Sequence, residues 1–334
     1  MKAKWFLMVS FILITVVILN YSFDTSKETP IRIGVLTIGD SRYEKLVGLQ
    51  NGLKELGYQQ NEFQFIVKNA KENPSKLQKQ IDELIHSHPE IIVTLGGIET
   101  IELKKVMDKN HINIPVVFAG AASPKEMGMI KDEKAPGGQF TGINNYHTSI
   151  SGKRLEILVD LIPSIQRVHI LYDNESEISK LSLQKTLEAA NELSVSVKPW
   201  NVSDADFPKN LENNLKKNDA LFLLPSFRIE SMTDQLVNIE NNYRIPTMGI
   251  YEHEVKNGFL LSYGTSFKDQ GYQAARYVSL LIKGNSPGEL PVEMPDNIRF
   301  LVNKQEQDLL GIHLNQDLLK IAEFSDVNKK GSNK

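Results

Sequence analysis

What most constrains this chain is an alternation. Apolar runs of strand length take turns with longer stretches whose apolar residues recur every three or four positions, and the series plays twice. Residues 31–38, IRIGVLTI, are apolar almost without a break, the pattern of a strand buried on both faces. Leu46, Leu49, Leu53 and Leu56 follow at helical spacing, and Gly57 stops them. Further strands are expected at 63–67, 91–95 and 115–119. Helices are expected after Pro74, marked by Leu77, Ile81, Leu84 and Ile85, and over 98–107. Strand–helix steps in succession make a parallel sheet with helices on its faces.

The stretch APGGQFTGINNY at 135–146 interrupts the series. Pro136-Gly137-Gly138 forces a turn, a brief strand follows at 140–143, and it dissolves into Asn144, Asn145 and Tyr146. The pattern then restarts. A helix at 155–161 precedes strands at 168–172, 195–202, 220–224, 246–251 and 259–263. Among these lie helices marked by Leu183, Leu187 and Ala190, and over 231–241; a long helix at 268–283 comes after them. A last strand is read at 299–303, then a mixed helical tail to 324 and a disordered end at 325–334. The expected fold class is α/β: two doubly wound, Rossmann-like lobes. Ligands on such sheets bind at the carboxyl ends of strands and between domains. The short strand is therefore expected to end one lobe and begin the crossing into the other, beside a ligand cleft.

Composition agrees and narrows the function. A length of 334 residues suits about two domains. A net charge of -3 gives no basic footprint for nucleic acid. With no cysteine, disulfides, cysteine metal sites, a thiol nucleophile and a lipid-modified cysteine are all excluded. Lys2 and Lys4 precede an uncharged apolar run at 5–19, the pattern of an export signal. The run is short of the ~20 residues of a full span, though 20–23 would carry it to the interface. No small-residue cleavage site follows, so residues 1–23 are either a removed signal or an uncleaved membrane anchor. Residues 24–30 are polar, end in Pro30 and read as a linker.

Catalytic patterns are missing. The seven histidines form no His-Glu-x-x-His, and there is no Gly-x-Ser-x-Gly elbow. Gly152-Lys153 lacks the upstream glycine of a phosphate loop, and the first strand–helix turn carries a single glycine. Glu252-His253-Glu254 has the residue types of an acid/base cluster, but charged loop residues are usually solvated. The expectation is no enzyme, no metal and no cofactor.

The strand–helix loops are where a ligand would sit. The first offers Asp40 and Ser41, which also suit plain helix capping. LGGIET at 95–100 lets backbone approach a guest at Gly97 and Ile98, with free N–H groups for a carboxylate. The small residues around Ala122 and Ser123 leave space. YDNESEISKLS at 172–182 brings Asn174, Glu175, Ser176 and Ser179. LPSFRIES at 224–231 adds Phe227 as a stacking face and Arg228 as a fork for carboxylate or phosphate. Tyr251 and Glu252 close the strand at 246–251.

The segments IGVL…GLQNGLKELGY, IPVVFAGAASP, PGGQFTG, VHILYDNESEIS and VNKQEQDLLGIHL together resemble the substrate-binding components of ABC importers of the tryptophan/tyrosine-binding type, over about residues 31 to 324. Pro-Gly-Gly-x-x-Thr-Gly at 136–142 is the most specific element. The resemblance implies a type I periplasmic-binding-protein fold with lobes joined by a three-stranded hinge, the crossings near 144–146, 262–266 and 290–295. It implies one lobe from 31–145 plus 266–290 and another from 146–265 plus 291–324. It also implies an exported monomer, possibly held at the membrane by its N-terminal segment, that clamps an amino acid or related small molecule and delivers it to a permease with a cytoplasmic ATPase. The site residues depart from that family. Its usual Thr-Pro is Gly97-Ile98 here, and its Thr-Asp-Pro is Ala122-Ser123-Pro124. Its Glu-x-Asn-Ser is Ser176-Glu177-Ile178-Ser179, with Glu175 one residue away. Its Asp-Asn is Phe227-Arg228, which exchanges an acid suited to an ammonium for a ring and a cation. A guanidinium buried there without a partner would be costly and would repel an ammonium, so a ligand with more negative charge, or with no free amine, is expected. A tethered ligand sensor and, further off, an enzyme on the same fold are the alternative readings.

Overall fold

The structure, a computed structural model, describes residues 29–325. The first sheet holds β1 (Ile31–Thr37), β2 (Phe63–Asn69), β3 (Ile91–Thr94), β4 (Val116–Ala121) and β5 (Phe140–Asn144). Its order is β2-β1-β3-β4-β5, with every pair parallel. Helices α1 (Tyr43–Glu55), α2 (Pro74–His86) and α3 (Gly97–Asn110) connect the strands. The unbroken apolar run of β1 is explained by burial on both sides. Ile33 and Val35 pack with Leu46, Leu49 and Leu53 of α1, while Leu36 packs with Leu77 and Ile81 of α2.

The second lobe begins with α4 (Ser151–Leu161) and β6 (Arg167–Tyr172), followed by α5 (Glu177–Glu192), β7 (Val197–Asn201), α6 (Lys209–Glu212) and β8 (Asp219–Leu223). It continues through α7 (Phe227–Ser231), α8 (Thr233–Tyr243), β9 (Thr247–Gly249), α9 (Glu252–Asn257) and β10 (Leu261–Gly264). The chain then returns to the first sheet as α10 (Phe267–Ile282), which shares a core with α1 and β1. It finally adds β11 (Arg299–Asn303), α11 (Lys304–Leu310), α12 (Gln316–Leu319) and β12 (Glu323–Ser325) to the second sheet, whose order is β12-β11-β10-β9-β8-β6-β7. Only β10 and β11 run antiparallel.

Helices α1 and α10 meet almost backbone to backbone. A Cβ on Gly48 would lie 1.9 Å from the Lys268 carbonyl oxygen, and one on Gly271 would lie 1.8 Å from that of Lys45. Glycine is required there by space, and the close approach carries Lys45 next to Phe267. The Pro-Gly-Gly turn has a similar reason. Gly137 and Gly138 take φ of 67° and 74°, and the Gly137 N–H donates to the Gly288 carbonyl at 3.0 Å. The returning segment continues along β5, where Glu293 N–H donates to Gly142 O at 3.1 Å and Asn144 N–H to Glu293 O at 2.9 Å.

Several boundaries differ from expectation. The strand read at 299–303 is not the last: Glu323–Ser325 pairs in parallel with it, which takes Ser325 out of the tail. The helix read over 231–241 is two helices broken at Met232, and the strand read from 259 starts at Leu261. Leu260 N–H is drawn instead to the buried Glu240 carboxylate at 3.1 Å. Among the described residues no helix is long and apolar enough to cross a membrane. The signal or anchor read at 1–23 lies outside them.

Candidate functional site

Between the lobes lies a cavity of about 670 Å³. Its walls are the carboxyl ends of the strands: the turns after β1, β3 and β4 on one side, those after β6, β8 and β9 on the other, with Asn145 and Phe267 from the crossings. Ile98, Ile101, Met127, Met129 and Phe227 make an apolar wall.

A buried charge cluster forms the floor. Arg42 Nη1 donates to Glu99 Oε2 at 3.1 Å, and Arg42 Nη2 reaches Glu230 Oε2 of the other lobe at 3.3 Å. Ser41 Oγ donates to the second Glu230 oxygen at 2.7 Å. Glu99 is wholly buried in the first turn of α3, where the helix dipole favours an anion. Burial opposes the Arg42 charge, but Glu99 and Glu230 outweigh it and hold the guanidinium above its ordinary range. Burial likewise pushes Glu230 up, yet Arg42, His253 and the Ser41 hydrogen bond bring it below the usual carboxylate range. Lys45, one turn along α1, donates to the carbonyls of Ala119 at 2.8 Å and Gly120 at 3.3 Å. Burial, reinforced by Arg42, pulls its ammonium down to about 7 against the opposing pull of Glu99 and Glu230.

An aromatic group closes the floor. Tyr251 stacks on His253 at 5.4 Å and leans on Phe267 at 4.8 Å, with His147 edge-on at 5.1 Å. Lys45 Nζ sits 4.9 Å from the Phe267 ring centre. On the second lobe, Asp173 accepts from Ser226 Oγ at 2.7 Å and Ser203 Oγ at 2.8 Å and lies 3.4 Å from Arg228 Nε. Arg228 is also paired with Glu175. Burial alone would raise Asp173; the two hydroxyls, the Glu175 N–H and Arg228 leave it lowered.

Of the residues singled out from sequence, Gly97, Ile98, Ala122, Glu175, Ser176, Phe227, Arg228 and Tyr251 line this cavity. The others lie elsewhere. Asp40 is exposed and paired with Lys71 at 2.9 Å, and Ser41 stands behind the wall on Glu230. Ser123 lines a separate, polar hollow of about 600 Å³ whose other walls include Asn144 and Tyr146. The Asn174 N–H is bonded to Asn201 Oδ1 at 3.1 Å. Ser179 is buried, its hydroxyl accepting the Asp173 N–H at 2.9 Å. Glu252 is taken by Arg299 at 2.7 Å and Lys256 at 2.6 Å. Arg228 is not the unpartnered buried cation that the sequence predicts: its side chain is 44% exposed and it holds two carboxylates. The glycines after β3 also divide their work. A Cβ on Gly96 would overlap Arg42 Nη1 at 2.0 Å, so that glycine makes room for the protein's own guanidinium, whereas Gly97 faces the cavity.

Sequence reasoning missed Arg42, Lys45, Glu99, Asp173, Glu230 and Phe267. A cue existed for the first two. Basic residues in the opening turn of a helix oppose its dipole, so their presence directly after a buried strand called for a reason.

Residues 30–325 match the family described as ABC transporter substrate binding protein. The chain is 23% identical, over 94% of its length and 90% of the relative's, to a tyrosine-binding protein of Clostridioides difficile. It superposes with a TM-score of 0.80 on an ABC domain in complex with L-Trp from Streptococcus pneumonia, at 22% identity, covering 89% of this chain and all of that one. A ligand-free, open substrate binding protein with adhesive properties from Clostridium difficile gives a TM-score of 0.69 at 16% identity, covering 89% of this chain and 99% of that one. A lobed α/β fold, a cavity at the strand ends between the lobes and a family match along the described chain agree: this chain belongs to the ABC transporter substrate-binding proteins.

Proposed function

We propose that this chain works outside the cytoplasmic membrane as the receiving component of an ABC importer, binding an amino acid or a closely related compound without turning it over and passing it to a permease with its ATPase. The observation that carries this reading is the cavity itself. It places the basic side chains of Arg42 and Lys45, several carboxylates and an apolar wall around one space of about 670 Å³, and a zwitterion with an apolar side chain needs all three. The relatives named for tyrosine and L-Trp support the same solute class. Because Arg228 carries its own carboxylates, the expected exclusion of amine-bearing ligands is withdrawn.

In this reading the contacts come from Gly97, Ile98, Ala122, Phe227, Arg228 and Tyr251, with Arg42, Lys45 and Asp173 added to them. The lobes comprise 31–145 plus 266–290 and 146–265 plus 291–324. The return of α10 to the first sheet and the pairing of Glu293 with β5 support crossings near 144–146, 262–266 and 290–295. The chain acts as a monomer, and its N-terminal segment directs export and tethers it if uncleaved.

A thermal-shift screen of the full chain against amino acids, short peptides, sugars and organic acids tests the reading. An amino acid at 100 times its dissociation constant stabilises the fold by about 2.7 kcal/mol, a clear rise in melting temperature. A screen in which only sugars raise it would remove the amino-acid assignment.

A further inference from the structure

One cation in the cavity has no acid of its own. Arg42 takes both nearby carboxylates, Glu99 within its lobe and Glu230 across the cleft. Lys45 lines the same cavity, is 2% exposed, and touches only neutral acceptors, the carbonyls of Ala119 and Gly120. An ammonium has three donors, so one N–H is left over. Glu99 and Glu230 act on it only at a distance and are held by Arg42, and its remaining neighbours are the face of Phe267 and Gln270, whose buried Oε1 finds no partner. Gly120, at φ 88°, leaves room for both side chains, since a Cβ there would lie 3.0 Å from Lys45 Nζ and 1.7 Å from Gln270 Oε1. An isolated buried ammonium is expensive to keep, and the fold spends a close helix packing on bringing it to this place.

We infer that Lys45 receives the carboxylate of the solute, and that it thereby selects carboxylate-bearing solutes over amides and neutral polyols. The inference rests on the amino-acid reading above and sharpens it. The rim agrees with a single negative charge placed deep. The rest of the lining carries Glu102, Asp173, Glu175 and Glu177 against a single further cation, Arg228, which two of those acids already hold, so a second anionic group would find no unpaired cation there. The carboxylate completes what the floor lacks, a charge-assisted hydrogen bond in a desolvated space.

The pairing also links binding to protons. Besides its carbonyls, Lys45 is faced by Arg42, Glu99 and Glu230 and more distantly by His147, which burial keeps neutral; α10 presents to it Phe267 and Gln270, neither of them titratable. With the free ammonium held near 7, an arriving carboxylate draws a proton onto Lys45 above that pH, so affinity falls as pH rises.

Calorimetry on the full chain in detergent, at pH 6 and pH 8.5, tests this with matched probes. These are L-tryptophan, L-tyrosine and L-leucine, their carboxamides, indole-3-propionate with its amide, and L-arabinose. Each acid that binds should bind roughly ten- to a hundredfold tighter than its amide, the range for a hydrogen bond between charged groups. Its affinity should fall between the two pH values, and indole-3-propionate, which has no amine, isolates the protein's share. The K45M variant should lose both the preference and the pH dependence, while circular dichroism reports whether it is folded. If K45M does not fold, the acid–amide comparison on the unaltered chain still decides. An amide or arabinose bound as tightly as the acids would overturn the inference and leave solute binding intact. Binding of no probe at all would remove the amino-acid reading and the role of Lys45 together.

Discussion

At the residue scale, the cavity is governed by a few charges whose neighbours lie far away in sequence. Lys45 shows what that costs. In the unfolded chain its ammonium titrates in the ordinary lysine range near 10.4, and in the fold near 7. Between those values the unfolded state binds more protons, so this group's contribution to stability rises with pH across that window. Below about 7 the whole cost of burying the charge is present, and above the ordinary lysine range it is gone. The melting temperature of K45M minus that of the unaltered chain, with no solute present, should therefore be most positive near pH 6 and fall steadily towards pH 10. Taking the difference cancels every other titrating group. A difference that stays flat across this window would mean that Lys45 is solvated and stays charged. The position of Lys45 at the start of the helix that follows β1 was visible in the sequence, but its burial was not, because that depends on α10, which lies more than two hundred residues further along.

At the scale of elements, most strands and helices were legible because their apolar periodicity is strong, and the ones missed had weak or divided signals. The strand at Glu323–Ser325 is three residues long, with Glu323 and Phe324 exposed, so neither length nor pattern announced it. The helix after β8 comes in two pieces: Ser226 caps the start of the short α7 by accepting the Arg228 N–H at 3.1 Å, α7 ends at Ser231, and the chain restarts as α8 beyond Met232. Glu230 belongs to the short α7, whose early start at Phe227 brings its carboxylate to Ser41 and Arg42 of the other lobe. Reading a single helix from 231 left Glu230 in a loop and hid its partnership with Arg42. The packing of α1 on α10 was likewise beyond reach, although its requirement was written as Gly48, Gly52 and Gly271. Gly271→Ala places a methyl against the Lys45 backbone carbonyl, where neither helix backbone can yield without moving the other. Overpacking of this kind costs about 1–3 kcal/mol. The urea midpoint should drop accordingly with little change in slope, and solute affinity should weaken because Lys45 is displaced with its helix. An unaltered midpoint would show that the two helices are not in backbone contact.

At the scale of the whole molecule, the question is what holds the lobes together. Fold class and the place of the cleft followed from two alternating series split by one rigid turn; the degree of closure did not, since no local pattern encodes it. In the structure the lobes are joined across the cleft by Glu230, which accepts from both Ser41 and Arg42 of the first lobe. The contact is buried on both sides, with Arg42 and Glu230 each 7% exposed. A buried ion pair contributes little net stability, because desolvation offsets attraction, but removing one partner is costly. Glu230 is thus the polar tie across the cleft, beside the apolar contacts of Phe227 with the first lobe and of Tyr251 with Phe267. In Glu230→Ala, Arg42 keeps Glu99 within its own lobe while nothing replaces the contact across the cleft, and the cationic floor gains from hydration when the lobes part. The free variant should scatter X-rays as a more open molecule, with a larger radius of gyration than the unaltered chain. Its solute affinity should fall, because closure must now be driven by the solute alone. Saturating solute should return its radius of gyration to that of the unaltered chain. Identical scattering from the two free proteins would mean that the lobes are held by the hinge rather than by this pair, and Ser41 and Glu230 would then be ordinary cleft residues.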